Sequence, residues 1–106
     1  MPKFLFVASY TLEGTKGVQS AGGSGRRDAV AAMAEGLGGK LESFYFAFGE
    51  ADAYVVVDVP DHESAAAASI AVNASGGATV KTVLLLTPEE IDAAAKRSVD
   101  YRAPGA

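Results

Sequence analysis

The chain has 106 residues and a net charge of −4, with 49% hydrophobic and 21% charged residues, a composition typical of one globular domain over residues 1–106. It contains no cysteine and a single histidine, which excludes disulfides, thiolate metal sites and a cysteine nucleophile and leaves little for a metal ion. The negative charge disfavours nucleic acids, which need a basic surface, and no apolar run approaches the ~18 residues that span a membrane.

The first predicted strand runs from Lys3 to Tyr10. Apolar side chains occupy both of its faces, which is typical of a strand in the middle of a sheet. One face carries Phe4, Phe6, Ala8 and Tyr10, and the other carries Leu5 and Val7.

The glycine-rich stretch from Thr11 to Gly23 predicts a connection, and a short helical turn capped by Thr11 is compatible with its start. The first helix is predicted from about Ser24 to Leu37, because Ser24 is a suitable N-cap and apolar residues then recur at helical spacing. The recurring residues are Val30, Met33, Ala34 and Leu37. Gly38-Gly39 predicts the end of this helix.

A β-hairpin is predicted from Gly39 to Pro60, with its two strands joined at Gly49-Glu50-Ala51. Strict alternation predicts two faces for each strand. In the first strand one face carries Leu41, Ser43, Tyr45 and Ala47, and the other carries Glu42, Phe44, Phe46 and Phe48. In the second strand one face carries Ala53, Val55, Val57 and Val59, and the other carries Asp52, Tyr54, Val56 and Asp58. Neither face is consistently polar, so both faces of the hairpin need at least partial cover.

Pro60-Asp61 predicts the start of a second helix that continues to about Ser75 and ends at Gly76-Gly77. Its alanine-rich sequence allows a close approach to the sheet. Two inner faces are compatible with the spacing: Ala66, Ile70 and Asn73, or Ala65, Ser69 and Val72.

A fourth strand is predicted from Ala78 to Leu86, and Thr87-Pro88-Glu89-Glu90 then predicts a third helix with Thr87 as N-cap. This helix carries Ile91, Ala94 and Ala95, and an irregular tail follows from Ser98. Lys81 in the fourth strand is interpreted as an edge-strand charge, with a pocket cation as the alternative.

This order of elements predicts an α+β fold of the ferredoxin-like βαββαβ type, with a four-stranded antiparallel sheet, two helices on one face and an extra C-terminal helix. The uncovered face would expose an apolar patch larger than monomers usually tolerate. We therefore expect a homodimer that pairs its sheet faces as a dimeric α+β barrel, with higher assembly also open. A monomer with one open face is the alternative.

The chain resembles the GYD-domain family of small bacterial proteins, which belongs to the dimeric α+β barrel group. The resemblance extends from Pro2-Lys3 to Tyr101-Arg102 and is carried by short motifs spread along the chain. They include Ala8-Ser9-Tyr10-Thr11, Gly22 to Arg27, Gly38 to Glu42, Phe44 to Gly49, Val72 to Gly76, Leu86 to Glu90 and Ser98 to Tyr101. Gly49 and Asp52 match the motif that names the family, but Ala51 stands where its tyrosine would be, with Tyr54 as a nearby substitute.

The stretch Gly22 to Arg27 is a candidate anion site, with Ser24, Arg26 and Arg27 as ligands. A glycine-rich turn that opens a helix presents free backbone N–H groups, and two arginines in the first turn favour an anionic ligand. The alternative is that Asp28 or an acidic residue of a partner subunit balances the two arginines.

Tyr10 and Tyr45 are candidate ligand-binding aromatics on adjacent strands, with Phe46, Phe48 and Tyr54 close by. They indicate either a pocket for a planar ligand between sheet and helices or ordinary core packing, which we favour. Asp52 is a candidate because it flanks the hairpin turn with Glu50, and its alternative role is turn geometry. His62 is interpreted as a solvated residue at a helix start.

Two classes of function remain. The first is a non-catalytic homodimer that binds a small anionic or planar molecule or serves as an assembly unit. The second is a cofactor-free enzyme similar to small monooxygenases or isomerases of the α+β barrel group, in which a tyrosine, Asn73 or Arg26 stabilises an enolate-like substrate. We favour the first, because no convergent acid–base pair is evident. We expect a cytoplasmic protein without signal peptide, cofactor or metal.

Overall fold

A computed structural model describes residues 1–105, which form four strands and three helices in the predicted order. The elements are β1 (Lys3–Tyr10), α1 (Leu12–Gly36), β2 (Lys40–Phe46), β3 (Ala53–Asp58), α2 (His62–Ser75), β4 (Ala78–Leu85) and α3 (Pro88–Ala95). The strands form one antiparallel sheet of order β2-β3-β1-β4. The α+β ferredoxin-like fold is therefore confirmed, with the doubly apolar β1 between β3 and β4.

The first helix is longer than predicted, because α1 begins at Leu12 and has 25 residues. The Thr11 hydroxyl caps it and accepts a hydrogen bond from the Gly14 backbone N–H at 3.2 Å. Gly22 is the one residue inside α1 with non-helical angles, φ 77° and ψ 169°, so two helical segments meet there. The predicted connection from Thr11 to Gly23 and the predicted N-cap at Ser24 are therefore wrong, whereas the helical turn capped by Thr11 is confirmed and extends into a full helix.

Tertiary contact explains why glycine does not prevent a helix in the first part of α1. A Cβ atom at Gly14 would lie 1.8 Å from the Gly77 carbonyl oxygen, so only glycine permits this approach. The Thr11 backbone N–H also donates to the Gly77 oxygen at 3.1 Å. Among residues 1–105 none of the helices combines the length and hydrophobicity that crossing a bilayer requires.

A β-bulge in β2 changes which of its residues share a face. Leu41 pairs with Val57 and Ser43 with Val56, so Glu42 is an extra residue on the β2 side. Leu41 consequently shares a face with Phe44 and Phe46, and the strictly alternating prediction for this strand is wrong at that point.

The core lies between the helix-side face of the sheet and the two helices α1 and α2. It contains Phe4, Phe6, Ala8, Val30, Ala34, Ala53, Val55, Val57, Val59, Ala65 and Ala68. In α2 the second of the two predicted inner faces is the observed one, because Ala65 is buried and Val72 half-buried, whereas Ile70 is 69% exposed. Small alanines allow this helix to pack closely on the sheet.

The opposite side of the sheet, here called the open face, carries no helix. The strand register places on it the large apolar side chains Leu5, Val7, Tyr45, Tyr54, Val56, Val83 and Leu85. At one end Lys3 pairs with Asp58 at 2.8 Å and with Glu42 at 3.1 Å. Hydrogen bonds to these two carboxylates, that to Asp58 first, raise the pKa of Lys3 above 10.5. The middle of the open face is mainly apolar, and its other end carries Lys81, opposite Val7 in the register, with Ser9 and Thr79.

The third helix begins as predicted, with a capping box between Thr87 and Glu90. The Glu90 backbone N–H donates to the Thr87 hydroxyl at 3.1 Å, and the Thr87 backbone N–H donates to the Glu90 carboxylate at 2.9 Å. Hydrogen bonding to Thr87 lowers the pKa of Glu90. No residue of α3 is buried. The predicted tail is irregular to its last described residue, Gly105, and Ala106 lies outside the described range.

Candidate functional site

Arg26 lies on the side of α1 that faces the sheet, and its side chain is half-buried. Together with the apolar side chains of Phe6, Met33 and Phe44 it lines a small pocket between α1 and the sheet, here called the apolar pocket. The volume of the apolar pocket is about 30 Å³, enough for a single small group. The Arg26 Nε atom is buried and has no hydrogen-bond partner within the described part of the chain.

A larger cavity adjoins the apolar pocket along α1 and is here called the slot. Its volume is about 240 Å³, and small residues of α1, among them Gly14, Gly17 and Ala21, form one wall. The turn between α2 and β4, with Ser75 and Gly77, forms the opposite wall. Arg26 and Tyr10 line both the slot and the apolar pocket, so the two cavities meet at these side chains.

Tyr10 ends β1 and places its half-buried ring beside the slot. Its ring centroid lies 6.4 Å from that of Phe46. Among residues 1–105 no hydrogen bond involves the Tyr10 hydroxyl, which leaves it able to donate to a bound molecule.

Asp52 fixes the position of Tyr10 and does not itself face the slot. Its carboxylate accepts a hydrogen bond from the Tyr10 backbone N–H at 2.8 Å, and its own backbone N–H donates to the Ala8 carbonyl at 2.8 Å. These bonds attach the β2–β3 loop to the end of β1. Asp52 therefore stabilises the geometry of the hairpin turn, which was the alternative role given to it from the sequence. It also orients the end of β1 that carries Tyr10.

Ser24 and Arg27 are exposed, and neither lines the slot or the apolar pocket. Arg27 pairs with Asp28 at 3.2 Å, which is the balancing contact predicted as the alternative to an anion site. Since 3.6 residues make one helical turn, adjacent arginines point about 100° apart, and only Arg26 reaches the cavities.

The last two candidates, Asn73 and Tyr45, line neither the slot nor the apolar pocket. The Asn73 side-chain oxygen accepts from the Val80 backbone N–H at 2.8 Å, and its amide donates to the Ser69 hydroxyl at 3.5 Å, so Asn73 fastens α2 to β4. Tyr45 is 72% exposed and lies on the open face, paired with Tyr54 in the register.

A model of the GYD domain matches residues 4–95 of the chain. The chain belongs to the GYD-domain family. This confirms the resemblance read from the sequence motifs. No curated protein matches the chain significantly, and no solved structure does.

The residue that departs from the GYD motif, Ala51, is only 5% exposed at the end of the hairpin loop. It lines a hollow of about 350 Å³ on the open face together with Ser9, Tyr54, Thr79 and Lys81. Tyr54 thus lies beside the place of the missing tyrosine. The hollow is on the opposite side of the sheet from Arg26. The presence of alanine at position 51 in place of the family's tyrosine therefore does not alter the slot.

The sequence contained an unused signal for the slot. Positions 14, 18, 21, 25 and 29 carry only glycine, alanine or valine and follow the spacing of one helical face. Arg26 likewise precedes Val30 and Met33 at helical spacing, which places it on the core side of α1. Ser75 and Gly77 had no such local signal, because only tertiary folding brings the α2–β4 turn to α1.

Proposed function

We propose that this GYD-domain protein is a homodimeric α+β barrel that binds a small anionic molecule on Arg26. The observation that carries the proposal is the half-buried Arg26 side chain, whose Nε atom is buried without a hydrogen-bond partner in the described residues.

An unmet donor at this position favours an anionic partner. A buried donor without a partner costs on the order of 1–3 kcal/mol, and more when it is charged. Guanidinium groups bind carboxylates and phosphates through paired N–H donors. Tyr10 lines both cavities with Arg26, and its hydroxyl can supply a further hydrogen bond. Arg26 makes no hydrogen bond or ion pair within the described residues, so a bound anion would supply a partner that its guanidinium lacks.

The dimer is supported by the composition of the open face. Val83 is 45% exposed and Tyr45 72% exposed, and they lie on a surface with Leu5, Val7 and Val56. Two copies that pair these faces across a two-fold axis would remove both apolar surfaces from water. Burial of apolar area is the main favourable term in such association.

Calorimetric titration of wild type, Arg26→Ala and Arg27→Ala with a panel of small carboxylates and phosphates at constant ionic strength tests the anion site. Arg27 is the matched control, because it carries the same charge on the next residue but is exposed and paired with Asp28. We expect Arg26→Ala to weaken binding roughly 10-fold or more, and Arg27→Ala to leave it nearly unchanged. Equal effects of the two substitutions, or no binding of any member of the panel, would contradict the proposal.

The structure gives less support to the second class of function, a cofactor-free enzyme. The Asn73 side chain is held by hydrogen bonds to the Val80 backbone and to Ser69 at the contact between α2 and β4. His62 is the first residue of α2, and its ring packs against that of Phe4 with a centroid distance of 5.8 Å. Tyr10 and Arg26 line the slot, but no carboxylate or histidine that could act as a base lines the slot or the apolar pocket among the described residues, so we propose binding and not catalysis.

A further inference from the structure

The slot restricts the shape of a molecule that could bind to Arg26. One wall is a face of α1 on which Gly17, Ala21 and Gly25 have little or no side chain and Val18 is the largest apolar residue, and the two walls touch at Gly14. A wall built from such residues is flat and allows close contact with a flat molecule. The other wall is the α2–β4 turn with Ser75 and Gly77.

Hydrogen bonds hold the two walls at a fixed separation. The Thr11 hydroxyl donates to the Gly76 carbonyl at 2.7 Å, and the Thr11 backbone N–H donates to the Gly77 carbonyl at 3.1 Å. The Ser75 hydroxyl donates to the Val72 carbonyl at 2.6 Å and accepts from the Gly77 backbone N–H at 3.2 Å. The slot is therefore formed before a ligand arrives, which reduces the entropy lost on binding.

The charge of the lining limits the charge of the ligand. Among the described residues Arg26 is the one charged side chain that lines the slot or the apolar pocket. A dianion would bring one negative charge that no lining group neutralises into a half-buried site, and an uncompensated charge there is costly. A monocarboxylate matches the single guanidinium, with the Tyr10 hydroxyl as a neutral donor.

We propose that the slot binds a flat monocarboxylate, with its carboxylate on Arg26 and its planar body between α1 and the α2–β4 turn. This assignment rests on the proposed anion-binding function and adds the chemical class and the location of the ligand. An aromatic carboxylate has the required shape and charge, and a planar ring can also contact Tyr10 at the mouth of the slot.

The first experiment compares three probes by calorimetry at a pH where phenyl phosphate is a dianion: benzoate, cyclohexanecarboxylate and phenyl phosphate. Benzoate and cyclohexanecarboxylate differ in planarity at equal charge, whereas benzoate and phenyl phosphate differ in charge with the same ring. We expect benzoate to bind roughly 10-fold more tightly than either of the others, a difference of about 1.4 kcal/mol.

The second experiment fills the slot without changing Arg26. Gly17 lines the slot, and a Cβ atom there would meet no heavy atom within 4 Å, so Gly17→Leu is the substitution chosen to add a side chain at this wall. Gly36→Leu is the matched control, because Gly36 is also in α1 with nothing within 4 Å of its Cβ position but does not line the slot. We expect a roughly 10-fold or greater loss of benzoate affinity for Gly17→Leu and no loss for Gly36→Leu.

The outcomes separate the two proposals. If phenyl phosphate or cyclohexanecarboxylate binds as tightly as benzoate and depends on Arg26, the ligand class is overturned while the anion site on Arg26 stands. If benzoate binding depends on Arg26 but is indifferent to Gly17→Leu, the location in the slot is overturned. If no probe binds in a manner that depends on Arg26, both proposals fall.

Discussion

Two glycines in the first turns of α1 have opposite structural requirements. Gly14 contacts the α2–β4 turn so closely that a Cβ atom would lie 1.8 Å from the Gly77 oxygen. Gly17, three residues later, has open space where its Cβ would be. Both positions carry glycine, but only at Gly14 do neighbouring atoms exclude a larger residue.

This contrast gives a prediction for stability at the two positions. Gly17→Ala should raise the free energy of unfolding by about 0.5–1 kcal/mol, because alanine has the higher helix propensity and the less flexible unfolded chain. Gly14→Ala should lower it, since the added methyl group must displace the Gly77 backbone and weaken its bond to Thr11. Chemical denaturation of both variants measures the difference, and equal shifts at the two positions would contradict the contact at Gly14.

At the scale of elements, α2 and α3 have similar N-terminal caps, but the two caps differ in their effect on the stability of the whole fold. Asp61 caps α2, and its carboxylate accepts from the Ser64 backbone N–H at 2.8 Å and from the Ser64 hydroxyl at 2.7 Å. Helix α2 buries Ala65 and Ala68 against the sheet, whereas α3, capped by Thr87, buries no residue. Only the cap of a packed helix contributes to global stability.

We therefore expect Asp61→Ala to lower the melting temperature of the protein and Thr87→Ala to leave it nearly unchanged. Thr87→Ala should instead reduce helical circular dichroism slightly, because a helix as short as α3 is marginal without its cap. Thermal melts followed at several wavelengths distinguish the two effects. A comparable fall in melting temperature for Thr87→Ala would mean that α3 packs on the body of the molecule.

The Asp61 cap also predicts a pH dependence. Hydrogen bonds from the Ser64 side chain and then its backbone hold the pKa of Asp61 below 3.8, its value in the unfolded chain. A carboxylate with a lowered pKa stabilises the fold fully above the unfolded pKa and loses this contribution as the pH falls through the folded pKa. The melting-temperature difference between wild type and Asp61→Ala should thus be constant from pH 7 to about 4 and shrink below pH 3.8. A difference that grew on acidification would contradict this sign.

At the scale of the whole molecule, the open face is the surface that the single chain leaves unpacked. It combines a row of Val56, Leu5 and Val83 with a neighbouring row that contains Tyr54 and Val7. The helices lie on the other side of the sheet, so intramolecular packing cannot cover these side chains. A second copy offers an identical surface and is the occupant that we propose.

The dimer predicts a specific effect of charge on the open face. Val83→Glu should weaken dimerisation at least roughly 100-fold, because each subunit would place a carboxylate in an apolar interface. Ile70→Glu is the control: it introduces the same charge at a side chain that is 69% exposed on α2, away from the open face. Sedimentation velocity over a concentration series measures both variants. A wild type that remains monomeric at every concentration, or equal behaviour of the two variants, would overturn the dimer.

The sequence by itself determined the order of the elements, the N-caps of α2 and α3, and most of the core. Asp61, Thr87 and the glycines at 38 and 76 act on backbone within a few residues, so their effects are visible locally. The double apolar alternation of β1 likewise identified a central strand. Hydrophobic periodicity and capping are short-range properties, and they were sufficient for the ferredoxin-like fold.

Tertiary structure alone decided the remaining features. The helix over residues 12–21 depends on Gly14 meeting Gly77, and the bulge at Glu42 depends on how β2 pairs with β3. The slot exists because Arg26 and the α2–β4 turn, far apart in the sequence, come together on one side of the sheet. The α2–β4 turn carries no periodic trace of its contact with α1, so helical spacing indicates a core-facing Arg26 but only the fold shows the slot beside it.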